Sequence, residues 1–422
     1  MSFNIKGKIS KVITTGKVCN RNSYYLSKRK KPIKETAILF ESKAGADLAG
    51  NIFYLLKELS NKEYSKFQCY LNVNLSSKDR IQKLLDKYQM NHVTLVTMNS
   101  KKYLEMLATA KYIVNDTSFP TWFYKRPEQI YLNTWHGTPL KHMGYEVSNR
   151  AFAMGNIQKN FQIADYLLYP NDYMKEKMIH AYYLENTYQG NILCEGYPRN
   201  AAFYQKKRAE IIRKELKLTE KQVIVYMPTW RGTLTESNNT EQVEACSCIF
   251  AMLDKLLEDN QVFYVKFHVF LQTCFDFSEY KHIKPFPEGY ETYEFLNSAD
   301  VLVTDYSSVF FDFANARKKI ILFTYDRKDY LDERGLYIPL DSLPFPQAEN
   351  VNELSEELKK PKTYDDKEFL EKYCTYDNID AANRIARHVF LSEKVCKEEK
   401  VKGNGNPNIL VYCSNLAMNG IT

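Results

Sequence analysis

From Thr36 onward, short apolar runs of strand length alternate with amphipathic stretches of helix length. Ala37–Phe40, Phe67–Val73, Val93–Val96, Tyr112–Val114, Gln129–Asn133 and Tyr166–Tyr169 read as the strands of a first half. Helical patterns at Asp47–Leu59 and through Leu84 and Leu85 separate some of them. Asn191–Cys194, Gln222–Tyr226, Val262–Val265, Val301–Val303 and Lys319–Phe323 read as the strands of a second half, with an amphipathic helix from about Val243 to Glu258. This alternation is the signature of parallel sheets covered by helices. Two such sets predict an α/β chain of two doubly wound, Rossmann-like domains, and 422 residues suits two or three domains. The expected divisions are a basic segment 1–34, a first domain 35–185, a second domain 186–378, a helix 379–392 and a linker 393–407. Asn408–Tyr412 then reads as a strand opening a further, truncated module over 408–422.

Composition excludes several function classes. No segment approaches the roughly 18 apolar residues that span a membrane, and the N-terminus lacks the apolar core of a signal peptide. The nine cysteines are scattered and odd in number, which suits reduced thiols in a cytoplasmic protein. Of the 58 Lys and Arg, ten lie in residues 1–34, which hold no Asp or Glu; the remainder carries 48 against all 51 acidic residues. Basic residues up to Lys28-Arg-Lys-Lys31 and Lys34 are interleaved with Phe3, Ile5, Ile9, Tyr24, Tyr25 and Leu26. A segment of this kind binds an anionic leaflet, at about 1 kcal/mol per basic residue near the surface, or else forms a solvated tail. The body carries no basic excess, so no nucleic-acid partner is expected.

Five junctions where a strand runs into a turn carry chemistry. Asn133-Thr-Trp-His-Gly-Thr-Pro-Leu-Lys141 sets His136 just past a strand, where open α/β sheets keep their sites. Glu195-Gly-Tyr-Pro-Arg-Asn200 places Arg199 in a turn, and Tyr226-Met-Pro-Thr-Trp-Arg-Gly232 does the same for Thr229 and Arg231. Arg suits phosphate through planar, bidentate donors. Val262–His268 ends in Lys266 and His268, two residues apart and so on one side of the strand. Val301–Asp312 runs a strand into Ser307-Ser308 at a helix start. Those serines either cap the helix or hold a phosphate there, and Asp312 lies a turn further in. Each feature alone admits a structural role. Together they describe a cleft for a nucleoside diphosphate with two histidines for proton transfer.

The motifs Trp135-His-Gly-Thr-Pro-Leu-Lys141, Gly196-Tyr-Pro-Arg-Asn200, Pro228-Thr-Trp-Arg231, Lys266-x-His268 and Thr304-Asp-Tyr-Ser-Ser-x-x-x-Asp312 resemble those of the CDP-glycerol glycerophosphotransferases, the teichoic acid primases and polymerases of bacterial cell walls. The resemblance spans roughly residues 36–392. It implies a GT-B fold, two Rossmann-like domains facing a cleft, and a peripheral enzyme on the cytoplasmic side of the cell membrane. The partners it implies are a CDP-alditol donor and a lipid-linked, undecaprenyl-type acceptor. His136 would deprotonate the acceptor hydroxyl, and His268 would assist departure of CMP. Trp135, Gly137, Thr138, Pro139, Arg199, Pro228, Thr229, Arg231, Lys266, Ser307, Ser308 and Asp312 would bind substrate. Ala201 departs from the family, which often has Asp after Arg-Asn.

No Asp-x-Asp pair or His/Cys cluster has metal-ligand spacing, so no tightly bound metal or other cofactor is expected; a Mg²⁺ shared with the donor is compatible with the chemistry. Glycerol versus ribitol, and primase versus polymerase, stay open at this stage. The alternatives are a GT-B glycosyltransferase using a nucleotide sugar and a non-catalytic membrane- or polymer-binding protein.

Overall fold

The computed structural model describes residues 5–147, 154–229, 231, 239–267, 275–328, 330 and 335–403. His268, one of the two predicted catalytic histidines, lies outside them, as do 404–407 and the strand and further module expected over 408–422.

Two sheets form the frame. The first contains β1 (Lys34–Glu41), β2 (Gln68–Val73), β3 (Val93–Thr97), β4 (Ala110–Asn115), β5 (Ile130–Asn133), β6 (Tyr166–Tyr169) and β7 (Asn191–Cys194). The second contains β8 (Gln222–Met227), β9 (Gln261–Val265), β10 (Ile283–Pro285), β11 (Val301–Thr304), β12 (Lys319–Phe323) and β13 (Gln347–Ala348); β14 (Lys397–Glu399) returns to the first. The spatial orders are 14-7-6-5-4-1-2-3 and 10-9-8-11-12-13. Every pairing is parallel except β14 against β7. The central strands, buried on both faces, need apolar residues at nearly every position, and β9 and β12 are buried throughout. Each sheet reverses its strand order once, between β1 and β4 and between β8 and β11. Ligands of doubly wound sheets bind outside the strand ends at these reversals.

Two divisions of the chain differ from expectation. The second domain was to begin at 186, yet β7 pairs with β6 in the first sheet, Tyr166 opposite Asn191. The crossing therefore falls after Cys194, because an apolar strand is claimed by whichever sheet edge can pair it. The linker expected at 393–407 starts as an edge strand instead, with Glu398 opposite Leu193. The helix Ala381–Phe390 also belongs to the first domain, where Phe390 packs its ring against Phe40, Phe67 and Tyr112. The amphipathic helix expected at about 243–258 runs from Asn239 to Leu253.

The basic N-terminal segment is largely helical, from Ile5 to Lys28, and packs on the helix Lys101–Thr109. Tyr25 is buried edge-on against Trp122, and Arg21 lies 4.6 Å over that indole. No helix of the described residues is long and apolar enough to cross a membrane.

Candidate active site

β5 delivers His136 to the cleft through a strained turn. Trp135 sits at φ 49°, a conformation a bulky residue adopts only when its surroundings impose it. The Asn133 side-chain oxygen accepts its N–H at 2.9 Å, and its carbonyl accepts from Asn51 Nδ2 at 3.3 Å and from Thr134 Oγ1 at 3.0 Å. The buried indole then backs the imidazole, ring to ring at 4.2 Å.

His136 Nδ1 lies 2.7 Å from the backbone oxygen of Asp116, just past β4. A carbonyl can only accept, so Nδ1 carries the proton and Nε2 is left as a bare lone pair. The ring is exposed at the cleft, while the Trp135 indole and the turn behind it desolvate its inner side. That desolvation pushes its pKa down to about 4; the Asp116 carbonyl opposes the shift, and Arg199 and Lys43 add to it. At neutral pH the ring is uncharged, the state a general base requires.

Across the cleft, β11 leads through Asp305 and Tyr306 to Ser307 and Ser308, both half-buried. A Cβ on Gly137 would meet Ser308 Oγ at 2.6 Å, so only glycine lets the His136 turn approach the second domain this closely. The helix that follows is short, Val309–Phe313, and Ser308 makes no capping hydrogen bond. Ser307 Oγ accepts weakly from Val309 N–H at 3.4 Å. Lys266 follows β9; its ammonium lies 4.2 Å over the Phe286 ring, and burial lowers its pKa to about 8, against the pull of Asp47. Pro228 and Thr229 line the end of β8, half-buried, with Thr229 N–H and Oγ1 bonded to Asp305.

Several residues expected to touch substrate are instead bonded to protein. Arg199 donates from Nε and NH2 to the two oxygens of Asp312 at 3.0 and 2.9 Å, and from NH1 to the His136 carbonyl at 2.9 Å. Its side chain and that of Asp312 are 3% and 4% exposed. Tyr197 and Tyr293 flank the guanidinium at 4.5 and 4.9 Å. Arg199 and Asp312 are thus paired with each other and tied to the His136 turn, because a buried charge is retained only when paired. Arg231 likewise binds Asp305 and Asp326 and donates to Thr229 O. Thr138 is buried against Asn171, and the Pro139 carbonyl accepts from Tyr173 OH at 2.9 Å. Both anchor the turn. The next residues bind the second domain: His142 N–H reaches Gly335 O, and Tyr337 N–H reaches Leu140 O.

The conserved-sequence pattern described as "CDP-Glycerol:Poly(glycerophosphate) glycerophosphotransferase" matches residues 23–391. The chain belongs to this family. A teichoic acid glycerol-phosphate transferase of Staphylococcus aureus is 32% identical over 323 residues, 72% of this chain and 82% of that protein. A teichoic acid poly(glycerol phosphate) polymerase of Bacillus spizizenii is 28% identical over 380 residues, 85% and 93% of the two chains. The wall teichoic acid polymerase TagF superposes with a TM-score of 0.74 at 25% identity, over 91% of this chain and 95% of that one. TagF has also been solved as histidine variants, one of them soaked with CDPG. The S. aureus MnaA–UDP structure, at 14% identity and a TM-score of 0.52, shares the GT-B-like arrangement of the two sheets.

In this glycerophosphotransferase, sequence reasoning did not single out Asp116, whose carbonyl fixes the tautomer of His136. Its signal was present, since it directly follows β4 at the strand-order reversal. Lys43 and Arg80 pair with Asp47 beyond β1 at the same reversal. Among the described residues, no three His, Cys, Asp or Glu side chains converge as a metal site.

Proposed function

We propose that this glycerophosphotransferase moves glycerol phosphate from CDP-glycerol to a hydroxyl of a lipid-linked acceptor in wall-polymer synthesis, releasing CMP. The observation that carries this is the fixed Nδ1–H tautomer of His136, with Nε2 free in a cleft between two strand-order reversals. The acceptor oxygen attacks the β-phosphorus in line, its proton passes to His136 Nε2, and the bond from that phosphorus to the bridging oxygen of CMP breaks. Lys266, Ser307 and Ser308 face the donor diphosphate, where a desolvated ammonium and hydroxyl donors offset charge moving onto the leaving group. His268 completes the proposal by assisting that departure. Any Mg²⁺ enters with the donor as a counter-ion, and no step depends on it. Glycerol is favoured over ribitol because a glycerol-phosphate transferase and a poly(glycerol phosphate) polymerase stand at 32% and 28% identity, above the ribitol-phosphate relatives at 23–25%, while a glycerol-phosphate primase stands at 24%.

The test is to incubate the protein with a hydroxyl-ended lipid acceptor analogue and, separately, CDP-glycerol, CDP-ribitol and UDP-sugars. CMP release fastest from CDP-glycerol is expected; release of UDP would establish the glycosyltransferase alternative. Lys266→Ala is expected to weaken CDP-glycerol binding about tenfold or more, and Ser308→Ala less, read by calorimetry. Unchanged affinity in both would leave these residues only packing roles.

The proposal includes peripheral attachment to the cytoplasmic face of the membrane, through the N-terminal helix. Lys17, Lys30 and Lys31 are exposed there, beside Leu26. Deleting the segment would uncover Trp122 and the core around it, so charge reversal is the cleaner probe. Lys17→Glu with Lys30→Glu and Lys31→Glu should release the protein from anionic vesicles at low salt, at about 1 kcal/mol per charge. Sedimentation equal to the parent protein would move attachment elsewhere.

A further inference from the structure

The turn that carries His136 crosses from one core to the other. Trp135 is buried in the core of the first domain, edge-on to Phe161 at 5.2 Å. Leu140, four residues after His136, is 2% exposed and belongs to the core of the second domain, with Tyr306, Phe310 and Ile338. His136 and Gly137 lie between these anchors. Upstream, Asn133, Asn51 and Thr134 hold Trp135, and Asp116 holds the imidazole, all from the first domain. Downstream, the holds lead to the second. Asn171 Nδ2 donates to Thr138 Oγ1 at 3.2 Å and to the Tyr373 carbonyl at 2.7 Å. Tyr173, whose hydroxyl donates to the Pro139 carbonyl, meets the Tyr373 ring edge-on at 5.0 Å. Tyr373 is itself part of the second core.

A strap of the second domain, residues 335–337, then closes on the chain just past the turn. Leu336 pairs antiparallel with Lys141. On either side, His142 N–H donates to Gly335 O at 3.0 Å and Tyr337 N–H donates to Leu140 O at 2.8 Å. Tyr337 grips the loop a second time: its hydroxyl accepts Met143 N–H at 3.0 Å and donates to Glu146. Its ring also packs against His142 at 4.8 Å. The strap cannot follow the loop, because Ile338 and Leu340 next to it are buried in the second core. Hydrogen bonds at these lengths are directional, so they fix the register of the loop as well as its distance. Register matters here, since a displacement of about 1 Å in a reacting group costs on the order of a hundredfold in rate.

We propose that Tyr337 is a positioning residue for His136, holding from the second domain the far end of a turn whose near end the first domain holds. The base then stands in place only while the two domains are in register, which ties proton removal to the domain that binds the donor. The inference rests on the role of His136 proposed above and adds a residue that never meets the substrate.

The test uses the full chain. Tyr337→Phe removes the hydroxyl and keeps the ring and the N–H. Gly335→Ala would set a Cβ 2.2 Å from His142 Nδ1 and so push the strap off the loop, and His142→Ala in the same chain removes that collision. Tyr337→Phe and Gly335→Ala should each lower kcat about tenfold, with KM for CDP-glycerol within about twofold of the parent, because Lys266, Ser307 and Ser308 are untouched. Isotopic labelling of the histidine ring nitrogens gives a magnetic-resonance readout independent of turnover. At neutral pH the His136 signals, assigned by their loss in His136→Ala, should show a protonated Nδ1 and a bare Nε2 in the parent, and a mixture of both tautomers in the two variants. Adding His142→Ala to Gly335→Ala should restore kcat and the ring signals together. Parental kcat and ring signals in both variants overturn the proposal. So does a lowered thermal midpoint with unchanged kcat, the result expected of a clasp that serves only the fold. A double variant no better than Gly335→Ala overturns it as well. If the parent protein releases no CMP, the proposed reaction fails, and the ring signals decide the positioning by themselves.

Discussion

His136→Ala should lower kcat by about a hundredfold or more while leaving the circular dichroism spectrum and thermal transition close to those of the parent. The imidazole edge faces the cleft and its single described hydrogen bond is to Asp116 O, so its loss removes the base without opening the core. Near-parental turnover would remove His136 from the mechanism. The pH profile supplies a second reading of the same residue. A base acts when neutral, and here the folded-state pKa lies below the usual 6.5, at about 4. The acid limb of kcat/KM, which reports the free enzyme, should therefore fall below pH 6.5. A bound diphosphate favours the protonated ring, so the limb of kcat should lie higher than that of kcat/KM. An acid limb in kcat/KM at or above 6.5 would contradict the crowded environment around the ring. The same depression bears on stability. The unfolded chain takes up a proton at this ring that the folded one refuses, so stability is lost as pH falls from about 6.5 toward 4.

Arg199→Ala should be the most damaging single change to stability. It strands Asp312, whose pKa burial raises and Arg199 lowers, as an unpaired buried acid. Breaking such a pair from one side costs about 3–5 kcal/mol, measurable as a lower denaturant midpoint. It also frees the His136 carbonyl and the contact between the two domains. The double variant Arg199→Met with Asp312→Leu separates these effects. Stability should return in large part, since an apolar pair of similar volume replaces a buried ion pair with little loss. Turnover should stay low, because the His136 carbonyl then lacks its Arg199 donor. Recovery of turnover together with stability would show that Arg199 only supports the fold.

Part of the site was legible because its chemistry is local. His136 follows a strand directly, Gly137 permits the turn, and Ser307 and Ser308 follow another strand. Each is read from a run of four to six residues. Arg199, Asp312, Arg231, Thr138 and Pro139 stand at the expected junctions, where their described partners are protein groups. A basic residue in a turn looks the same in sequence whether it meets a phosphate or a carboxylate 113 residues away. Only burial distinguishes the two, because a desolvated charge must pair with whatever charge the fold brings to it.

The sequence by itself determined β1–β9, β11 and β12, but not the short strands β10, β13 and β14 at the sheet edges. A strand buried on both faces requires a continuous apolar run, and that requirement is written position by position. It also determined that two sheets form and that their strand ends carry polar residues. Tertiary structure alone decided which sheet receives β7, β14 and the helix Ala381–Phe390, because pairing is settled by the edges and apolar surface left open once the other strands are in place. It alone decided the tautomer of His136, through a carbonyl twenty residues earlier in the chain. And it alone brought Arg80 to Lys43 and Asp47 beyond β1, a contact that no local pattern in the sequence marks.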